Sequence, residues 1–152
     1  MSAFEIAKFL HVAATAIWVG GAILIVAIGF RMPAADPPHR LGFARDAVFL
    51  GRWIFTPAIV VALATGIWMV VDVDPAYTFE QVWIVLGMAV LVVSGGIGTG
   101  FILPNTRRAI QKIESGDGPG AAGLMRRVSL AGRLNAFLLL LAVWAMVFKP
   151  GL

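Results

Sequence analysis

Four long apolar runs, separated by charged and turn-rich segments, organise this chain. Residues 9–30 contain no Asp, Glu, Lys or Arg, and neither do 53–71, 81–106 and 134–148. At 1.5 Å per residue, the first three runs (22, 19 and 26 residues) cover a hydrocarbon core of about 30 Å. The fourth has 15 residues and reaches only about 22 Å. Its helix must therefore extend back through Arg133 toward Arg127, which places Arg133 at or inside the membrane boundary. The pattern predicts an all-α fold, a four-transmembrane-helix bundle in one domain spanning 1–152, with spans at about 6–30, 52–71, 81–104 and 128–148.

Local signals fit these elements. Ser2-Ala3-Phe4-Glu5 reads as a capping box that starts a helix near Ala3. The first run is longer than the roughly 7–15 residues of a signal-peptide core, so it is expected to be a retained span. Met32-Pro33-Ala34-Ala35-Asp36-Pro37-Pro38 breaks the first helix before a partly amphipathic Leu41–Phe49 segment. Ser115-Gly116-Asp117-Gly118-Pro119-Gly120 reads as a flexible turn. Pro57, inside the second span, removes a backbone hydrogen bond near Trp53, and Thr56 is placed to cover part of that gap.

The basic residues set the orientation. Arg31, Arg40, Arg45 and Arg52 belong to the first connection, and Arg107, Arg108, Lys112, Arg126, Arg127 and Arg133 to the third. The second connection has only Asp72, Asp74 and Glu80, and the termini have Lys8 and Lys149. The positive-inside rule then puts the first and third connections in the cytoplasm and both termini outside, the expected location being the inner membrane. Trp68, Tyr77, Trp83 and Trp144 fall near the outer boundary and Trp53 near the inner one, as an aromatic belt would.

Composition narrows the function. The chain is 60% hydrophobic and 13% charged, with a mean hydropathy of +0.91, against about a quarter charged in soluble domains. This composition argues against a water-soluble enzyme. The formal charge of +4 does not indicate nucleic acid, because the basic residues flank apolar runs instead of gathering on a watery face. With no cysteine there is no disulfide, thiolate metal site or cysteine nucleophile. The lipid bilayer is the expected partner.

The candidate chemistry lies in the first span. Lys8, His11, Thr15, Trp18 and Ala22 are spaced by three and four residues, which puts them on one helix stripe. That stripe should face the bundle, since lipid cannot satisfy an imidazole. His11 is the only histidine within a span, while His39 falls in the first connection. Two readings stand: a structural hydrogen bond between helices, or a ligand to haem iron or another metal. A second ligand must match the depth of His11, and Met88 does so best, with Met69 nearer the surface. Lys8 and Lys149 are the candidate partners for haem propionates.

At the cytoplasmic end, Arg52 and Arg133 lie roughly 25 Å from the His11 level. They are expected to snorkel or to form an inward polar cluster with Asn135, with Asp46 as counter-ion. Gly96 and Gly100, four apart, offer a surface for close helix approach within the bundle or to an oligomeric partner. No paired-carboxylate or Ser-His-Asp constellation sits in the apolar region.

Lys8-Phe9-Leu10-His11 followed by Trp18-Val19-Gly20-Gly21 resembles the first helix of a family of small, uncharacterised bacterial integral membrane proteins. Those proteins distantly resemble HemJ-type protoporphyrinogen oxidases and CopD-type copper-resistance membrane domains. Pro57-Ala58-Ile59 through Thr65-Gly66-Ile67-Trp68, and Arg133, Asn135 and Lys149-Pro150, are similar to HemJ-type segments as well. The resemblance implies a haem b-binding membrane protein with His11 as an iron ligand. The lysine that HemJ-type proteins carry after the third-helix tryptophan has no counterpart, since Ile84, Val85, Leu86, Gly87 and Met88 follow Trp83. The CopD-type likeness implies copper handling, and a non-enzymatic accessory subunit is the remaining alternative.

Overall fold

The computed structural model describes residues 2–71 and 78–151, so the expectations placed on Asp72, Asp74 and Tyr77 lie outside the described residues. The first span is α1 (Ala3–Gly29), followed by a 3-10 turn (Met32–Ala34). The second joins α2 (Pro37–Leu50), a π-helical turn (Gly51–Phe55) and α3 (Thr56–Val71). The third joins α4 (Val82–Gly96), a π-helical stretch (Ile97–Ile102) and α5 (Leu103–Glu114), and the fourth is α6 (Gly118–Phe148). The described residues form no strand, and all four spans are long and apolar enough to cross a membrane.

The spans run 31 to 35 residues, or about 47–52 Å, well beyond a bilayer core of about 30 Å. They overrun the charge-free runs, because capping and helix continuity, not bilayer thickness, set where a helix ends. The Asp36 side chain caps α2 through the His39 amide and Asp117 caps α6 through that of Gly120, so these helices begin at Pro37 and Gly118, well before residues 52 and 128. Ser2 and Glu5 close the expected capping box on α1.

Neither Pro57 nor Pro104 ends its helix. Each stands two residues after a π-helical segment. A proline ring crowds the carbonyl four residues earlier and donates no hydrogen bond to it, and the wider π turn accommodates both defects. Side chains serve some of the nearby carbonyls: the Thr56 hydroxyl donates to Gly51 O (2.7 Å), two residues before the gap expected at Trp53, and Asn105 Nδ2 donates to Phe101 O (2.7 Å). The two π segments touch each other.

Packing runs α1 on α3, α4 on α6, α5 on α6, α1 on α6 and α2 on α5, while the α3–α4 seam is thinner than any of these. The buried core joins Ala14, Trp18 and Val19 of α1 with Ala58 and Ala62 of α3 and Leu139 of α6. Alanines let α1 and α3 approach closely, which is how helices associate where lipid offers no hydrophobic drive. Large apolar side chains such as Phe9, Val60, Val92 and Phe137 are exposed on all four spans, a surface suited to acyl chains rather than water.

Gly96 and Gly100 are not where the helices of the bundle meet. Both are exposed, and a Cβ at either would meet nothing within 4 Å. The tight approaches fall at Gly21 against Phe55, Gly66 against His11 and Gly87 against Met146.

Candidate functional site

The end of the bundle that carries both termini contains a cavity of about 240 Å³ between all four spans. Lys8 and His11 reach it from α1, Gly66 and Met69 from α3, Trp83, Gly87 and Met88 from α4, and Met146 from α6, with Lys149 beyond it. Most of the remaining wall is aliphatic, including Leu63, Ile67, Ile84 and Leu91. Four of the residues singled out in the sequence as a cofactor set, His11, Met88, Lys8 and Lys149, thus share one cavity.

The stripe on α1 turns His11 toward α3, as a half-buried imidazole requires. Its Nδ1 lies 2.8 Å from Ala62 O. A carbonyl only accepts, so Nδ1 carries the proton, and in the neutral ring Nε2 holds the lone pair. Among the described residues Nε2 has no hydrogen-bond partner. The berth depends on Gly66, where a Cβ would stand 3.1 Å from His11 Cε1. The Thr65 hydroxyl donates to Val61 O at 2.6 Å and stands 3.4 Å from His11 Nδ1, closing the polar edge of the berth.

Around this ring the donors are soft or cationic. Met69, Met88 and Met146 bring three thioethers to the wall. Lys8 is exposed at the rim, and Lys149 Nζ sits 5.3 Å over the Trp83 ring. Trp83 is buried, so it serves as cavity wall rather than as part of an aromatic belt. Trp18 is buried one level deeper, in the core and away from the cavity wall. Thr15 Oγ1, on the same stripe, is buried with no hydrogen-bond partner among the described residues.

The expected cluster at the other end does not assemble. Asn135 is buried and accepts from the Ser94 hydroxyl at 2.6 Å. Arg52 and Arg133 are exposed, with guanidiniums 5.4 Å over the Trp53 ring and 4.5 Å over the Phe30 ring. Their long side chains can reach the helix surface, and an aromatic face there is a cheaper partner than burial beside an amide. Asp46 is exposed, and the ion pair that ties α2 to α5 is Arg45 to Glu114 at 2.7 Å.

Sequence reasoning missed Ala62, Gly66, Gly87 and Met146. The signal for the first two was present: Ala62 and Gly66 form a small-xxx-small pair on the span that must face α1. Met146 gave none, because depth alone did not distinguish it from packing.

No curated protein and no solved structure matches the chain. Residues 5–150 match a family described as "Predicted integral membrane protein (DUF2269)". Four apolar spans and a match over nearly the whole sequence agree: the chain belongs to that family of predicted integral membrane proteins.

Proposed function

We propose that this membrane protein binds a b-type haem through His11 Nε2 and transfers electrons at the face carrying its termini. The observation that carries the reading is the Nδ1–Ala62 hydrogen bond of 2.8 Å. Histidines that ligate metals almost always donate their other ring N–H to a carbonyl or carboxylate, which fixes the ring and its tautomer. The donor set suits the group: an imidazole for iron, Met88 in the same cavity as a second ligand, and Lys8 and Lys149 toward the carboxylates. The resemblance read from Lys8-Phe9-Leu10-His11 in the sequence implies the same assignment. A haem held this way supplies one-electron redox chemistry. The chain's own residues orient the imidazole, exclude water with an aliphatic wall and neutralise propionate charge. A tetrapyrrole is larger than a cavity of about 240 Å³, so binding requires the thin α3–α4 seam to widen.

A second reading is favoured by the three methionines, because thioethers with imidazole suit Cu(I). One preparation separates the two. The chain is purified in mild detergent from cells supplied with haem, and its reduced-minus-oxidised spectrum and metal content are measured. A b-type difference spectrum that disappears in His11→Ala supports the haem reading. A colourless sample defeats it, and copper retained after loading then supports the alternative.

A further inference from the structure

We propose that the cavity is loaded sideways from the bilayer through the α3–α4 seam, and that its ligand class is an apolar molecule ending in a carboxylate. The proposal rests on the reading of this cavity as a ligand site but does not depend on the ligand being haem.

Three observations converge on the seam. The α3 and α4 halves of the second and third spans line the cavity and pack only thinly on each other. Their other halves, α2 and α5, are held together by packing and by the Arg45–Glu114 ion pair. At the boundary stand two touching π-helical segments, each two residues ahead of a proline. Such segments replace the regular ladder with wider turns, the prolines remove a donor each, and kinks in helices concentrate at both. Two such segments at one level, with a clamp on one side and a thin contact on the other, give α3 and α4 a place to hinge apart while α2 and α5 stay fixed. The opening faces acyl chains, so what enters is already dissolved in the membrane.

The charge at the rim sets the ligand's polar end. Lys8 is exposed and makes no ion pair among the described residues, and Lys149 closes the other side of the rim. Ammonium groups above an aliphatic pocket match a carboxylate above an apolar body.

The test uses the full chain, freed of haem where any is bound, in phosphatidylcholine vesicles. Stearic acid carrying a nitroxide on its chain is titrated in, and tryptophan emission is read. Saturable quenching is expected, and Trp83→Phe should remove its saturable part. The Lys8→Gln/Lys149→Gln pair should raise half-saturation about tenfold, as loss of charge-assisted contacts would. The labelled acid's methyl ester, which needs no variant, should bind wild type about tenfold more weakly. Pro57→Ala with Pro104→Ala, which restores two backbone donors beside the π-helical segments, should slow the onset of quenching. Quenching that only follows bilayer partitioning, equal binding of the ester, or an unchanged onset rate overturns the proposal. Saturable quenching in a chain that never takes up haem upholds it and ends the haem reading. A haem-competent chain without saturable quenching does the reverse.

Discussion

His11 of α1 and Gly66 of α3 are fitted to each other: a Cβ at Gly66 would stand 3.1 Å from His11 Cε1 and 3.3 Å from Nδ1. The missing side chain leaves room for an imidazole flat against the helix, within reach of Ala62 O one turn earlier. That carbonyl has two lone pairs, so it can serve both its own helix and His11. The ring is thus oriented by backbone, the least movable partner a protein offers.

Replacing His11 by alanine should abolish cofactor absorbance yet cost little stability. Interhelical hydrogen bonds in membranes average about 0.6 kcal/mol and reach about 1.7. The checks are the reduced-minus-oxidised spectrum and unfolding in mixed micelles followed by circular dichroism. A purely structural histidine would show the stability loss in a chain that never carried colour.

Gly66→Ala should act through the ring. The new methyl lies inside ordinary contact distance of His11, so the imidazole must shift by a few tenths of an ångström and the bond to Ala62 must lengthen. Expected outcomes are a displaced absorbance maximum and severalfold lower cofactor occupancy, with Gly66→Leu losing the cofactor entirely. An unchanged spectrum in Gly66→Leu would sink the assignment of His11 as ligand.

The residues that carried a period were legible before the structure. The Lys8, His11, Thr15, Trp18 stripe predicted an inward histidine because one helix face repeats every three to four residues. The charge-free runs predicted four spans because lipid excludes ions over a fixed depth. Arg52, Arg133 and Asn135 share a depth, and depth says nothing about direction around the helix. The inward cluster therefore does not form, while the exposed arginines keep to the surface as snorkelling side chains do. Asn135 turns inward to Ser94, whereas both arginines lie over aromatic rings at the surface. Gly96 and Gly100 are both exposed and meet nothing in the bundle, because four-residue spacing gives a shared face and not the neighbour that face meets.

The Ser94–Asn135 pair should prove the main polar tie between α4 and α6. Both residues are buried, with the hydroxyl 2.6 Å from the amide oxygen. Asn135→Ala should destabilise by about 1–2 kcal/mol and Ser94→Ala by about 1, with a coupling of about 0.6 kcal/mol in a double-mutant cycle. Arg133→Ala, which removes an exposed contact with Phe30, should fall within about 0.5 kcal/mol of wild type. Unfolding in mixed micelles measures all four variants.

Acid should loosen the start of α6 before it affects the rest of the bundle. Gly116 turns the chain with φ of 81°, and Asp117 then caps α6 by accepting from the Gly120 amide at 2.9 Å. The Lys112 ammonium bonded to Asp117, followed by the Gly120 amide, holds its carboxyl below the usual carboxylate range. A depressed folded-state pKa means the cap contributes its stability above the unfolded value of about 3.9 and loses it as pH falls from there toward the lower folded value. Protection of the Gly120 and Ala121 amides, taken relative to their intrinsic exchange rates, should therefore hold at neutral pH and fall only below about pH 4. Lys112→Ala removes the larger cause of the depression, so the acid transition should move upward, toward the ordinary carboxylate range. In Asp117→Asn the cap persists without a titrating group, and exchange should become nearly independent of pH over the same interval, once corrected for the intrinsic rate. If wild type and Asp117→Asn instead loosen together as pH falls, another group controls this end of the helix.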